Sequence, residues 1–356
     1  MKKQFIFKQP FRFKNKGFVM ALFALALVAL SLSGCGNGGN SASTSNGSTN
    51  AAADTGGEAE KTYYDIKLPD SAGTGINLFY LADELGYFEE FGINPIFVGE
   101  VAVGSTVPSV LSGGINVSGN HVNRLIAAIA SGAKVKAVVA VSETTEEIPH
   151  MKFLTLEDSG IYTAEDIVGK RIGVTAIGGC NEYTTYEYLR KELGIEDPRE
   201  SINYVILPAG TEETTLRTGE VDIVGMHGDP IAVIERGGVR VLYSDYEVWG
   251  NDGGATPYWF ATDFIEKNPE AVHGFVQAVV KTGNWLNEHP QEAREIQGPR
   301  VNLEPKELYH QHFTPDGVIR PETIEIWNDI LLHYGEISEA VPPDQVYTNE
   351  FNDLAS

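Results

Sequence analysis

The chain has 356 residues, and its 26 basic and 49 acidic side chains give a formal net charge of −23. Such an excess of acid repels polyphosphate, which excludes nucleic acid as the main partner. The two cysteines, Cys35 and Cys180, exclude a disulfide-rich scaffold and a cysteine-only zinc site within one chain.

The elements begin with a leader. Lys2, Lys3, Lys8, Arg12, Lys14 and Lys16 form a cationic start without an acid, and a mostly apolar stretch follows from Phe18 to Leu32. That stretch is short for a bilayer span but fits the core of a signal peptide. It ends in Leu32-Ser33-Gly34-Cys35, which resembles the lipobox of bacterial lipoproteins. The resemblance implies a signal peptide over 1–34, cleavage before Cys35 and lipidation of its thiol. Removing the six basic leader residues leaves 20 against 49 acidic, a net charge of −29, and Cys180 as the sole free thiol. Residues 36–60 carry no large apolar side chain, so burial there cannot offset the entropy of ordering. With Cys35 they read as a flexible tether, 35–60, whose reach is roughly 25–30 Å. A folded body on such a leash fits an extracytoplasmic position, at a Gram-positive surface slightly better than in a periplasm.

The remaining chain is long enough for two lobes. Ile66-Lys67-Leu68 reads as a strand leading to the Gly73-Thr74-Gly75 loop. Leu78, Leu81, Ala82 and Leu85 recur at helical spacing with Gly86 as the stop, and Asn94–Val98 reads as a strand. Further on, Arg171–Val174 leads to Gly178-Gly179-Cys180, a helix runs from about Asn181 to Leu193 before Gly194, and Asn203–Leu207 is again a strand. Both halves therefore follow the β-loop-α-β order of an open sheet wrapped by helices. Trp259-Phe260-Ala261 reads as a returning strand, and Asn268-Pro269 starts a helix toward Trp285. The expected divisions are lobe 1 over 61–150, lobe 2 over 151–248, and a return to lobe 1 with C-terminal helices over 249–356. Crossings near 137–156 and 240–260 would form the hinge.

An internal repeat supports this order. The run from Val110 to His121 matches the run from Leu216 to His227 in small, Gly, aliphatic, Asn/Asp, Gly and His positions. Each copy reads as a helix end stopped by Gly, a short buried strand and a loop. In open α/β sheets ligands sit beyond the carboxyl ends of the strands. The loops carrying Gly73, His121, Gly178 and His227 would thus face a cleft between the lobes.

Several runs carry a family resemblance: Gly86-Tyr87-Phe88-Glu89-Glu90-Phe91-Gly92-Ile93, Asp166 to Val174, Gly219-Glu220-Val221-Asp222 and Asn268-Pro269-Glu270-Ala271-Val272. Together they resemble the nitrate/sulfonate/taurine and thiamine-precursor family of ABC-transporter substrate-binding proteins, over nearly all of 64–300. The resemblance implies an α/β, type II periplasmic-binding-protein fold of two lobes, each an open, mostly parallel sheet. It also implies a monomer that is not an enzyme, capture of a small molecule by hinge closure, and delivery to an ABC permease with its ATPase.

The expected ligand contacts are Gly73, Thr74, Asn77, Asn120, His121, Gly178, Gly179, Cys180, Asn181, Tyr183, His227 and Asp229. Family members that bind sulfonates or nitrate commonly use hydroxyls and backbone N–H groups at the start of the second-lobe helix. Gly178-Gly179-Cys180-Asn181-Glu182 departs from that pattern, and Glu182 there opposes an anion unless it faces solvent. Aromatic residues nearby suit a planar or heterocyclic organic ligand, so the expected cargo is either a sulfonate- or nitrate-like anion or an aromatic or heterocyclic thiamine-precursor-like compound. No cofactor and no metal are expected. A metal held by His121 and His227 with Asp229, Cys180 or Glu182 is the less favoured arrangement. Two other functions remain open: an enzyme of the thiamine-precursor or menaquinone type on the same fold, and a sensory lipoprotein.

Overall fold

The structure, a computed structural model, describes residues 61–71 and 73–355. The signal peptide 1–34, Cys35 and the tether 35–60 lie outside the described residues. No described helix is long and apolar enough to cross a membrane.

Alternation sets the first sheet. In β1 (Tyr64–Asp70) Ile66 and Leu68 are fully buried, and the strand pairs parallel with β2 (Ile93–Glu100). Helix Leu78–Glu84 links them, and Asn77 caps its start by accepting from Phe79 N at 2.8 Å. The next strand, β3 (Val117–Gly119), is tied to β1 where Asn116 N donates to Lys67 O at 2.9 Å. After helix Val122–Ala130 the chain forms β4 (Val135–Glu143) and leaves this sheet.

A further sheet, separate from the β1–β2 pair and from the sheet of β3 and β4, holds β5 (Met151–Leu156), β6 (Arg171–Val174), β7 (Asn203–Ile206), β8 (Ile223–His227) and β9 (Val239–Ser244), in the order β7-β6-β8-β5-β9. The chain then returns. β10 (Thr256–Ala261) inserts between β3 and β4, antiparallel to both, and β11 (His312–Phe313) pairs with the outer side of β4. Helix Pro269–Glu288 starts with Pro at its first turn and lays Val272, Phe275, Val276 and Val279 into the first lobe's core. Burial of each such side chain stabilises by about 1.5–3 kcal/mol.

The two-lobed α/β architecture is the expected one, while the sheets are mixed rather than mostly parallel. β6 runs parallel to β7 and β8, but β5 is antiparallel to β8 and β9, as β10 is to its neighbours. β5 and β10 are the strands the chain forms on arriving from the other lobe. They therefore enter the sheet from the cleft end, opposite to the strands of the repeat.

Two crossings, 144–150 and 245–255, join the sheets, and Asp245 locks them together. Its carboxylate accepts from Met151 N at 2.9 Å and from the Thr144 hydroxyl. A third strand of contact comes from 309–310. Tyr309 N donates to Thr74 O in the first lobe, and Asp229 N in the second donates to His310 O, each at 2.7 Å.

Candidate functional site

The carboxyl ends of β1, β3 and β8 and the first crossing open onto a cavity of 380 Å³. Its polar wall includes Asn77, Thr106, Asn120 and Gln311, and Phe79, Tyr258 and Phe313 supply rings. Three histidines, His121, His150 and His227, line it as well. Among the described lining residues there is no Lys or Arg, and Asp70 is the one acid. That carboxylate is already engaged by Tyr80 OH at 3.0 Å and Gly99 N at 2.9 Å.

Each histidine is placed by a different element. His121 leaves β3 at the start of helix Val122–Ala130, with Nδ1 at 3.1 Å from Asn123 Oδ1 and Nε2 at 3.0 Å from Gly253 O. Trp327 meets its ring edge-on at 4.5 Å. His150 ends the first crossing, where its carbonyl accepts from Gly228 N at 2.7 Å. Its Nε2 lies 3.6 Å from Cys180 Sγ, and its Nδ1 is buried without a partner. His227 is the last residue of β8, with Nε2 3.5 Å from the same sulfur. The next residue, Gly228, has φ +65° and leaves no room for a Cβ beside the His310 carbonyl. Only glycine turns the chain off β8 there.

Burial keeps these rings neutral. It lowers His121 to about 3 and His150 well below the usual imidazole value, and with the Arg124 charge it lowers His227 to about 4. Cys180 opens helix Cys180–Leu193, a position that favours a thiolate. Desolvation outweighs that preference: burial first, then the Asp245 charge, push the thiol up to about 12.

Of the residues expected from the sequence, Asn77, Asn120, His121 and His227 line the cavity, and Cys180 sits against two of its histidines. The others lie elsewhere. Gly73 and Thr74 give way to Ser71, Gly75 and Ile76 on the wall, since Tyr309 N holds Thr74 O. Gly178 and Gly179 pack on the Arg124 guanidinium. Arg124 donates to Ile177 O at 2.6 Å and Asn123 to Gly178 O at 3.1 Å, so this loop latches the second lobe to the first. Asn181 turns back to Ala176 O at 3.2 Å. Tyr183 is buried among Tyr186, Trp327 and Tyr334, and Asp229 pairs with Lys152 at 2.6 Å.

Glu182 faces neither cleft nor open solvent. Its carboxylate accepts from Gly178 N, in the loop before the helix, at 2.7 Å and from Tyr186 OH at 2.8 Å. Sequence reasoning missed His150, which belongs to no motif. The available signal was its place inside the segment expected to cross between lobes.

A family model described as NMT1/THI5 like matches residues 74–293. No curated protein matches the sequence. Among solved structures, the periplasmic aliphatic sulphonate binding protein SsuA from Escherichia coli is 18% identical, with a TM-score of 0.64 over 81% of this chain and 98% of that one. The ligand binding component of an ABC-type import system from Staphylococcus aureus, solved with zinc bound, is 14% identical, with a TM-score of 0.65 over 82% and 99%. The periplasmic nitrate-binding protein NrtA from Synechocystis PCC 6803 is 14% identical, with a TM-score of 0.61 over 81% and 87%.

Proposed function

The chain belongs to the NMT1/THI5-like family, and on that premise we propose that it is the solute-binding lipoprotein of an ABC importer. Anchored through Cys35 outside the cell membrane, it captures a small organic solute between its lobes and delivers it to a permease driven by an ATPase. The solute is uncharged and planar or heterocyclic. The observation that carries this reading is the 380 Å³ cavity at the strand ends, with aromatic rings, amides and neutral imidazoles and no cationic side chain among its described lining residues.

The same wall argues against the anions named for two of the similar structures. A sulfonate or nitrate needs positive charge or free N–H groups. In the loop before the second-lobe helix, the Gly178 N–H is already taken by Glu182. The two crossings and the Arg124 latch are the parts that would move on opening.

Catalysis by Cys180 is the second reading, favoured by imidazole nitrogens 3.5 and 3.6 Å from its sulfur. A thiol held up near 12 by burial is a poor nucleophile at neutral pH, so binding is the better account.

Thermal unfolding of ligand-stripped protein against sulfonates, nitrate, pyrimidines and aromatic acids tests the proposal. A neutral heterocycle at about a hundred times its Kd should stabilise by about 2.7 kcal/mol. The double variant His121→Ala/His227→Ala should lose most of that gain. Stabilisation by sulfonates with none by heterocycles would overturn the solute class.

A further inference from the structure

Four metal-ligating side chains meet at the inner end of the cleft, and they come from both sheets and from the crossing between them. His121 follows β3, His150 ends the first crossing, and Cys180 and His227 belong to the second lobe. Donor atoms of His121, His150 and Cys180 lie within 4.8 Å of one another, and His227 joins this group of three through its contact with Cys180. Cys180 Sγ is 3.6 Å from His150 Nε2 and 3.5 Å from His227 Nε2. A tetrahedral zinc-class ion, with sulfur at about 2.3 Å and nitrogen at about 2.0–2.1 Å, sets those two donors roughly 3.5–3.6 Å apart. Both sulfur–nitrogen edges already have that length.

Hydrogen bonding leaves the cluster unbalanced. One thiol proton faces two imidazole nitrogens, so one imidazole must donate to the sulfur and the other accept from it. A neutral His121 has one N–H, yet both its nitrogens face oxygens, Asn123 Oδ1 and Gly253 O. One of those contacts sets lone pair against lone pair. Turning the Asn123 amide does not mend this, because its Nδ2 is committed to Gly178 O.

We propose that Cys180, His150, His227 and His121 form a thiolate–imidazole site for one transition-metal cation of the zinc class. His150 and His227 bind through Nε2. His121 binds through Nδ1 once Asn123 Oδ1, 3.1 Å from that nitrogen, moves aside, and it keeps its Nε2–H on Gly253 O, the outer-shell partner that orients a metal-bound imidazole. Three imidazoles and a soft sulfur favour zinc, cobalt or copper over magnesium or calcium. Binding forms the sulfur–metal bond and breaks the S–H bond, and the thiol proton leaves to solvent; the three imidazoles are already neutral and release none. The inference rests on the same cleft as the proposed function but not on the importer role.

The test uses full-length protein in detergent, stripped with a chelator and titrated with Co²⁺ and then Zn²⁺. One equivalent of Co²⁺ should give intense tetrahedral visible bands and a thiolate-to-cobalt charge-transfer band, both lost when Zn²⁺ displaces it. Cys180→Ser should abolish the charge-transfer band. Cys180→Ser and His227→Gln should each weaken Zn²⁺ binding by about 100-fold or more, beyond the 10–100-fold typical of outer-shell changes. Near-ultraviolet circular dichroism shows whether the variants are folded. Absence of the thiolate band in the wild type, or unchanged Zn²⁺ affinity in both folded variants, would overturn the site. Repeating the organic panel on stripped protein separates the two readings. Solute binding without a cobalt band sinks the metal site alone, whereas a cobalt band without solute binding supports the metal site and sinks the organic-solute reading.

Discussion

Cys180 Sγ lies 3.5 Å from His227 Nε2, a contact between the start of one helix and the end of a strand 47 residues away. The pairing looks like that of a reactive thiol, but the environment decides otherwise. Cys180 is buried, and desolvation followed by the Asp245 charge raises its thiol to about 12. In metal-free native protein, alkylation of Cys180 should therefore be at least about 100-fold slower than in denaturant. Peptide mapping after timed iodoacetamide treatment measures this, and rapid native labelling of Cys180 would contradict its enclosure.

The histidines make the metal-free fold sensitive to acid. An unfolded imidazole titrates near 6.5, whereas His121 and His227 are held near 3 and 4 and His150 is also lowered. The unfolded chain thus binds protons first as the pH drops. The stability these groups provide is full above about pH 6.5 and is lost on acidification, at about 1.4 kcal/mol per pH unit for each group. Asp245 works in the opposite sense. Burial raises its carboxyl to about 6 from 3.8, so its contribution is complete below 3.8 and lost as the pH rises through 6. The histidines outweigh the one carboxyl as the pH falls from 6, and the net stability should fall with acid. Urea midpoints across pH 7 to 5 measure the slope, which should flatten in His150→Gln. A level wild-type profile would be inconsistent with buried neutral rings.

Asp245 also fixes the relation between the two crossings. Its carboxylate accepts from Met151 N and the Thr144 hydroxyl, and Thr144 Oγ1 in turn accepts from His150 N at 3.2 Å. Asp245→Ala would leave a buried N–H and a buried hydroxyl without their acceptor, at a cost of about 2–4 kcal/mol. Asp245→Asn keeps an oxygen for Met151 N and an amide for Thr144 Oγ1, and it resembles the protonated form that burial favours. Its cost should stay below about 1.5 kcal/mol. Denaturant unfolding of the two variants near neutral pH gives the comparison, and equal losses would mean that packing rather than hydrogen bonding holds the crossings.

Much of the fold could be read from the sequence because periodicity and glycine stops are local signals. Leu78, Leu81 and Ala82 are buried on one helix, and Gly194 ends helix Cys180–Leu193 in the left-handed conformation. Mixed pairing was not readable in this way, since the apolar runs of β5 and β10 look alike whichever direction their neighbours run. The site was partly readable. His121 and His227 stood out through the repeat, but Tyr183 and Asn181 share the helix of Cys180 while pointing into the core and back along the chain. No spacing rule brings His150 to Cys180; only the crossing does.

The repeat itself has a physical cause that can be tested at its polar position. Asn116 Oδ1 accepts from Lys67 N at 2.8 Å, and Asp222 Oδ2 accepts from Arg171 N at 2.9 Å. In return Asn116 N donates to Lys67 O and Asp222 N to Arg171 O, both at 2.9 Å. An equivalent side-chain oxygen thus starts the same inner strand in each lobe, after glycines, Gly113 and Gly219, that share φ +73°. Asp222 does more than Asn116, because its carboxylate also takes Arg171 Nε at 3.1 Å and a second guanidinium nitrogen at 2.8 Å. Those added bonds are largely exposed and contribute little. Asn116→Ala and Asp222→Ala should each cost about 1–2 kcal/mol through the lost backbone contact, with Asp222→Ala the larger by no more than about 1 kcal/mol. Asn116→Asp should be tolerated, since either oxygen can face Lys67 N. Urea unfolding of the three variants measures this. A cost confined to Asp222 would mean that the ion pair, not the repeated backbone bond, is what selection placed there.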